Sequence, residues 1–243
     1  MATVLLLRHG RTTSNASGIL AGWTPGIGLD ETGRVQAAEA RKRLEQLPIV
    51  RIVSSPLQRC QETAAAVAEG LAGLAVDTDE RLGECRYGAW TGRTLSELTT
   101  DKLWRTVQDH PSAATFPPSP DFEHESLAAM SARAVSAVRA LDAEVDAAHG
   151  PNALWVAVSH GDVLKAVLAD ALGSHLDQFQ RIVVGPASIS VVRYTARRPF
   201  VLRVNDSTGE LTDLVTAPEA SGPSGDATPG GETGTGTDAA DAD

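Results

Sequence analysis

Residues 4–15 read VLLLRHGRTTSN. Four aliphatic side chains run without a polar break into Arg8, His9 and Gly10. A short apolar run bounded at once by polar residues and glycine reads as a strand buried on both faces. This strand ends by delivering a guanidinium and an imidazole at one point. Two later stretches have the same form. The run at 50–53 leads into Ser54-Ser55-Pro56-Leu57-Gln58-Arg59, and the run at 154–158 leads into Ser159-His160-Gly161-Asp162. In an open parallel sheet the carboxyl ends of the strands share one edge, and ligands bind there. Arg8, His9, Arg59 and His160 are therefore expected to converge. Two imidazoles and two guanidiniums with no paired acid make a pocket for an anion. Taken singly, each is a surface salt bridge or a satisfied polar side chain; the repetition at three strand ends carries the reading. His110, His124, His149 and His175 are scattered over helices and loops and carry no such pattern.

The segments between these strands read as helices. Asp30-Glu31-Thr32 opens one that runs to about Leu47, with Val35, Ala38, Leu44 and Leu47 on its apolar side. A second starts at Pro56 and runs to about Leu71. A short extended piece falls at 75–76. Short helices are expected at 95–98 and 102–108, then a proline-rich loop with Pro111, Pro117, Pro118 and Pro120. A long helix covers 126–148, and another covers 162–172. Residues 188–194 and 200–204 read as a hairpin-like pair, followed by a turn at Asn205-Asp206-Ser207. Alternating strands and helices predict one α/β domain, a three-layer fold whose mainly parallel sheet is flanked by helices.

The 243 residues suffice for one sizeable core, and the hydrophobic fraction of 42% is ordinary. No apolar stretch is long enough to span a bilayer, and no basic leader precedes the first strand. The expectation is a cytoplasmic protein with no membrane partner. Cys60 and Cys85 form no CxxC pair and fit a reducing compartment. The net charge of −10 argues against nucleic acid as a partner. From Ala217 to Asp243 the chain is Gly, Ala, Thr, Pro and Ser with six acids and no Lys or Arg. Such a stretch has nothing to bury and is expected to be a disordered acidic tail on a domain covering 1–216.

At this point the chain resembles the histidine phosphatase superfamily, the phosphoglycerate-mutase-like proteins. LLLRHGRTTSN resembles the family's first His-Gly motif with its following Asn. SSPLQRCQETA at 54–64 resembles its S-P-L-x-R motif, RLGECRYGAWTG at 81–92 the segment that supplies its acid, and VSHGDVLKAVL at 158–168 its second His-Gly motif. VNDSTGEL at 204–211 resembles the closing strand, with Glu210 where a His is common. The likeness covers residues 3 to about 215 and implies a phosphoglycerate-mutase-like fold. It makes His9 the nucleophile, and Arg8, Arg59, His160 and Asn15 the phosphate-binding groups. It makes Glu84 the general acid; should the acid lie elsewhere, Glu125 is the next candidate. The physics agrees. A neutral imidazole attacks phosphorus if its other nitrogen is held protonated, and guanidinium forks bind phosphoryl oxygens and keep their charge. Catalytic groups on this reading are His9, Glu84, His160, Arg8 and Arg59.

The glycine-rich GILAGWTPGIG at 18–28 carries no Walker pattern and is taken as a rim of the pocket, with Trp23 a candidate substrate contact. The spacing of His9, His160 and Asp162 matches no ordinary metal signature, and two arginines repel a cation, so no metal is expected. Mutases of this family follow the acid motif with a Lys and place an Arg pair after a Trp. Here Leu95 stands at the Lys position, Trp104-Arg105 is followed by Thr106, and Ala21 replaces a small hydroxyl residue. The reading is therefore a metal-independent phosphomonoester hydrolase that acts through phosphohistidine on a small phosphorylated metabolite. The alternatives are a phosphomutase, with 2,3-bisphosphoglycerate as phosphoryl primer, and a non-catalytic phosphate-ester-binding module. The segment 100–122 is expected to cap the pocket. Oligomeric state is not legible.

Overall fold

A computed structural model describes residues 1–71, 74–207 and 227–231. The chain runs through β1 (Thr3–Arg8), α1 (Thr13–Ala16), α2 (Glu31–Leu44), β2 (Ile49–Ser54), α3 (Gln58–Ala68) and β3 (Val76–Thr78). Then come α4 (Leu95–Leu98), α5 (Lys102–Asp109), α6 (Leu127–His149), β4 (Leu154–Ser159), α7 (Gly161–Ala171), β5 (Ile189–Arg193) and β6 (Phe200–Asp206). The strands form one mixed sheet in the order β3-β2-β4-β1-β5-β6. The pairs β3-β2, β2-β4 and β4-β1 are parallel; β5 is antiparallel to both β1 and β6.

β1 is buried along its whole length because both faces of the sheet are covered. Successive side chains point to opposite faces. Val4 and Leu6 join Trp155 and Ala157 under α6 and α7, packing on Met130, Leu141, Val163 and Val167. Leu5 and Leu7 join Val156 and Val158 under α2 and α3, packing on Ala40, Leu44, Ala64 and Val67. This two-sided burial accounts for the unbroken aliphatic runs. The N-terminus is tied down as well: Asp142 of α6 accepts from the Ala2 amide at 3.1 Å and the Trp155 indole at 3.0 Å.

Two readings need correction. α2 begins as its sequence predicts, with Asp30 capping the Gly33 amide at 2.7 Å. Its buried face, however, is Gly33, Ala37, Ala40 and Leu44, while Val35, Ala38 and Leu47 are exposed. Small residues let the helix approach so closely that the Gly33 carbonyl lies 2.5 Å from where a Cβ on Gly10 would stand. The expected turn at Asn205-Asp206 is instead the end of β6, and the chain reverses between Arg193 and Phe200. Asn205 takes a left-handed φ of 54°, which asparagine tolerates, in an irregular stretch of the β5-β6 pairing. Its side chain accepts from the Gly185 amide at 2.6 Å. Glu210 and most of 217–243 lie outside the described residues.

Candidate active site

Sheet register assembles the site. Arg8 stands beside Ser159 in the β1-β4 ladder, and Ser54 beside Val158 in the β2-β4 ladder. The residues that follow these strands therefore emerge at one level. His9 is held by backbone on two sides: its amide donates to the Ser159 carbonyl at 3.0 Å, and its carbonyl accepts from the Ala187 amide at 3.1 Å. Its ring stands 5.3 Å from the ring of His160. Arg8, His9, Arg59 and His160 are all at least 98% buried.

The His9 Nδ1 lies 2.7 Å from the Gly10 carbonyl oxygen. A carbonyl only accepts, so Nδ1 carries the proton and the Nε2 lone pair is free to attack. Burial, then the charges of Arg59 and Arg8, push the imidazole well below its ordinary pKa. It is neutral at physiological pH. His160 is also driven down, by burial and then by Arg59, His9 and Arg8. Its Nε2 is 2.7 Å from the Ser55 hydroxyl, and the Cys60 sulfur lies 3.4 Å away. Arg8 donates to the Val184 carbonyl at 2.8 Å, and Arg59 to the Gly22 carbonyl at 3.0 Å. These backbone carbonyls help to aim both guanidiniums.

The acid stands opposite. Glu84 is 97% buried on the loop after β3. Ser159, next to His160, donates its hydroxyl to the Leu82 carbonyl at 2.7 Å and ties that loop to the end of β4. Trp23 and Arg133 both donate to the Glu84 carbonyl, at 2.7 and 2.9 Å. The Cys85 amide donates to the carboxylate at 3.0 Å. Burial, and then the negative charge of Asp162, raise the Glu84 pKa to about 7. Its Oε2 is 3.7 Å from His160 Nδ1, too far for a hydrogen bond. Near neutral pH the carboxyl is therefore divided between its protonated and ionised forms, while both imidazoles stay neutral. The pocket combines two neutral imidazoles, two guanidiniums and a carboxyl group poised near neutrality.

The family model of the histidine phosphatase superfamily (branch 1) matches residues 4–207. This chain belongs to that family. It is 32% identical over 174 residues to the glucosyl-3-phosphoglycerate phosphatase of Mycobacterium tuberculosis, covering 70% of this chain and 74% of that one. It is 32% identical over 195 residues to a Yersinia enterocolitica protein named "Probable phosphoglycerate mutase GpmB", covering 80% and 86%. A mycobacterial glucosyl-3-phosphoglycerate phosphatase solved in complex with VO3 superposes with a TM-score of 0.73 at 27% identity, over 84% of this chain and 99% of that one.

The remaining expected site residues of this histidine phosphatase fall as follows. Asn15 lines the cavity with His9, Arg59 and Glu84. Its carbonyl oxygen is taken up by the cap of α1, accepting from the Thr12 amide at 3.1 Å and hydroxyl at 2.9 Å. The amide NH2 is the end available to a ligand. Trp23 is not in the cavity lining; it braces Glu84, with Arg86 stacked 5.0 Å from its ring. Glu125 is paired with Arg133 at 2.6 Å and is likewise absent from the lining. The rim is Gly18 to Gly22 with Leu95. None of residues 100–122 lines this cavity. Among the described residues no cluster of three or more His, Cys, Asp or Glu could hold a metal ion, and no helix is long and apolar enough to cross a membrane.

Several residues escaped the sequence reading. Ser55, Asp162 and Cys60 lie inside quoted motifs, but their contacts join different strand ends. Asp162 is almost wholly buried, accepts from the Tyr87 hydroxyl at 3.0 Å and pairs with Lys165 at 3.3 Å. Arg133 reaches the acid loop from α6, about 50 residues away in sequence. The tail segment Ala227–Gly231 also enters: Thr228 to Gly231 line the cavity. Its one local signal is Thr-Pro-Gly-Gly, which reads as a type II turn.

Proposed function

We propose that this chain hydrolyses small phosphomonoesters through a phosphohistidine on His9, without a metal. The observation that carries this reading is the tautomer fixed by the Gly10 carbonyl, which leaves Nε2 as a nucleophile between two buried arginines. Arg8, Arg59, His160 and the Asn15 amide hold the phosphoryl oxygens. His9 Nε2 attacks phosphorus as the ester P–O bond breaks, and Glu84 gives its proton to the departing alkoxide. The Glu84 carboxylate then takes a proton from water, whose oxygen attacks the phosphohistidine; the P–N bond breaks, phosphate leaves and His9 is again neutral. Positioning and charge stabilisation supply most of the rate in such transfers. A carboxyl with a pKa of about 7 suits both proton steps.

Hydrolysis is favoured over mutase chemistry by the rim. Leu95, at the position of the mutase Lys, is a buried apolar wall of the cavity. Arg105 is on the exposed side of α5 beside Asp109. Among the described residues, neither of these two positions offers a cation to the carboxylate of a phosphoglycerate. The names of the relatives, a glucosyl-3-phosphoglycerate phosphatase and a probable phosphoglycerate mutase, support a phosphorylated metabolite as substrate, and the lack of a membrane-spanning helix among the described residues is compatible with a cytoplasmic setting.

The test is turnover of p-nitrophenyl phosphate and a panel of phosphorylated metabolites, 3-phosphoglycerate and 2,3-bisphosphoglycerate included, with EDTA present. The expected outcome is phosphate release, and an acid-labile phosphohistidine trapped in the wild type and missing in His9→Ala. Transfer between phosphoglycerates faster than release of phosphate would establish the mutase instead. Binding without any turnover would leave the binding module.

A further inference from the structure

Four of the five described tail residues, Thr228 to Gly231, line the pocket where a phosphate ester would bind. Thr228-Pro229-Gly230-Gly231 form a tight turn: the Gly231 amide donates to the Thr228 carbonyl at 2.9 Å, with φ of +81° at Gly230. Pro at the second position and Gly at the third are what a type II turn requires. Gly230 is held at both ends of its backbone. Its amide donates to Asp162 at 2.9 Å, and its carbonyl accepts from Arg8 at 3.2 Å. Farther out, the Gln108 side chain and the Ala227 backbone exchange a pair of hydrogen bonds, at 2.9 and 2.8 Å.

The fit is close enough to demand glycine. A Cβ on Gly231 would stand 2.9 Å from the Arg8 Cζ and 3.0 Å from the Gly161 Cα, at a φ of +90°. A Cβ on Gly161 would stand 2.5 Å from the Gly230 carbonyl oxygen. With the turn seated, the cavity beside His9 and Glu84 measures about 20 Å³. That holds about one water molecule and no phosphoryl group.

We propose that Thr228–Gly231 is an intramolecular ligand of the phosphate pocket, a strap that competes with substrate by placing the Gly230 carbonyl on Arg8 where a phosphoryl oxygen would lie. The proposal deepens the hydrolase reading, since it rests on the same pocket being the phosphate site. A ligand tethered to its own site needs little intrinsic affinity, because its effective concentration is high. The enzyme binds substrate only in the fraction of molecules whose strap is out, so the apparent affinity falls by that fraction.

The experiment compares the full chain, a chain ending at Asp226, and the full chain carrying Gly231→Val, whose branched side chain is crowded by the Gly161 backbone and strained at a φ of +90°. Binding of inorganic phosphate is measured by calorimetry, and p-nitrophenyl phosphate hydrolysis by initial rates. Both altered chains are expected to bind phosphate about three- to tenfold more tightly and to show KM lowered by the same factor with kcat unchanged. The ratio must not vary with protein concentration. Equal phosphate affinity in all three chains overturns the strap. A ratio that grows with protein concentration also overturns it, because the turn then comes from a second copy. Phosphate binding needs no turnover, so the two readings fail separately: tighter phosphate binding by the truncated chain with no hydrolysis of any ester sinks the hydrolase and keeps the strap.

Discussion

The ends of β1 and β4 are near copies in sequence, Arg8-His9-Gly10 beside Ser159-His160-Gly161, and they lie side by side in the sheet. Burial and the same two arginines drive both imidazoles down. What separates them is the partner of each ring. His9 faces a backbone carbonyl, which accepts and cannot donate, so one tautomer is enforced. His160 faces the Ser55 hydroxyl, which does either, so its ring can turn its proton toward a ligand. On the proposed mechanism, this difference in ring partner divides nucleophile from phosphate donor. The glycines differ as well. Gly10 lies against the backbone of Gly33 in α2, whereas Gly161 lies against the strap.

The sharpest test of this division exchanges the losses. His9→Ala should lower kcat by about 10⁴-fold or more, as removal of a nucleophile does, with no phosphohistidine trapped. His160→Ala should cost about 10²- to 10³-fold, typical of one lost transition-state donor, and should still label. Labelling that survives in His9→Ala and vanishes in His160→Ala would reverse the roles.

Glu84→Gln comes next. On an alkyl ester it should cost about 100- to 10,000-fold, and on p-nitrophenyl phosphate far less, because that leaving group needs no proton. The pH profile follows from the same group. Glu84 must be protonated to donate, and burial holds its pKa at about 7, so kcat/KM on the alkyl ester should fall as pH rises through that value. His9 lies well below its ordinary pKa and stays neutral over this range. An alkaline limb that persists in Glu84→Gln would assign it to another group.

The two glycines should part in thermal melts. Gly10→Ala puts a Cβ 2.5 Å from a backbone oxygen of α2 and should cost about 1–3 kcal/mol, lowering Tm by several degrees. The three atoms nearest a Cβ on Gly161 all belong to the strap, so for Gly161→Ala Tm should hold within about 1 °C while KM falls. The smallest effect is expected of Ser55→Ala. It removes one hydrogen bond to His160, worth about 0.5–1.5 kcal/mol, and should slow turnover by tenfold or less with labelling intact.

The central strands were legible because a parallel sheet covered on both faces writes itself as unbroken aliphatic runs. The convergence of Arg8, His9, Arg59 and His160 followed from topology alone. Glu84 was reached only through family resemblance, since a lone acid between Gly83 and Cys85 has no pattern of its own. The brace on that acid was not legible: Trp23 and Arg133 come from distant segments, and only folding brings them to one carbonyl. The buried face of α2 was misread because close helix contact selects Gly and Ala, which a hydrophobicity pattern undervalues. The strap was invisible to composition for a related reason. It binds through backbone, and a stretch with no side chains to bury can still satisfy a guanidinium and a carboxylate.

The backbone of His9 carries a further consequence. Its amide is bonded into β4, and its carbonyl accepts from the segment leading to β5, in the middle of a six-stranded sheet. In deuterated solvent that amide should exchange only when the whole domain opens, at a rate set by global stability. The Gly230 amide, on Asp162 in the same pocket, should exchange whenever the strap lifts. Two amides of neighbouring residues in one site would then report the most and the least protected motions of the molecule. His9 would be welded to the part of the chain that moves last, and the turn beside it would belong to the part that moves first.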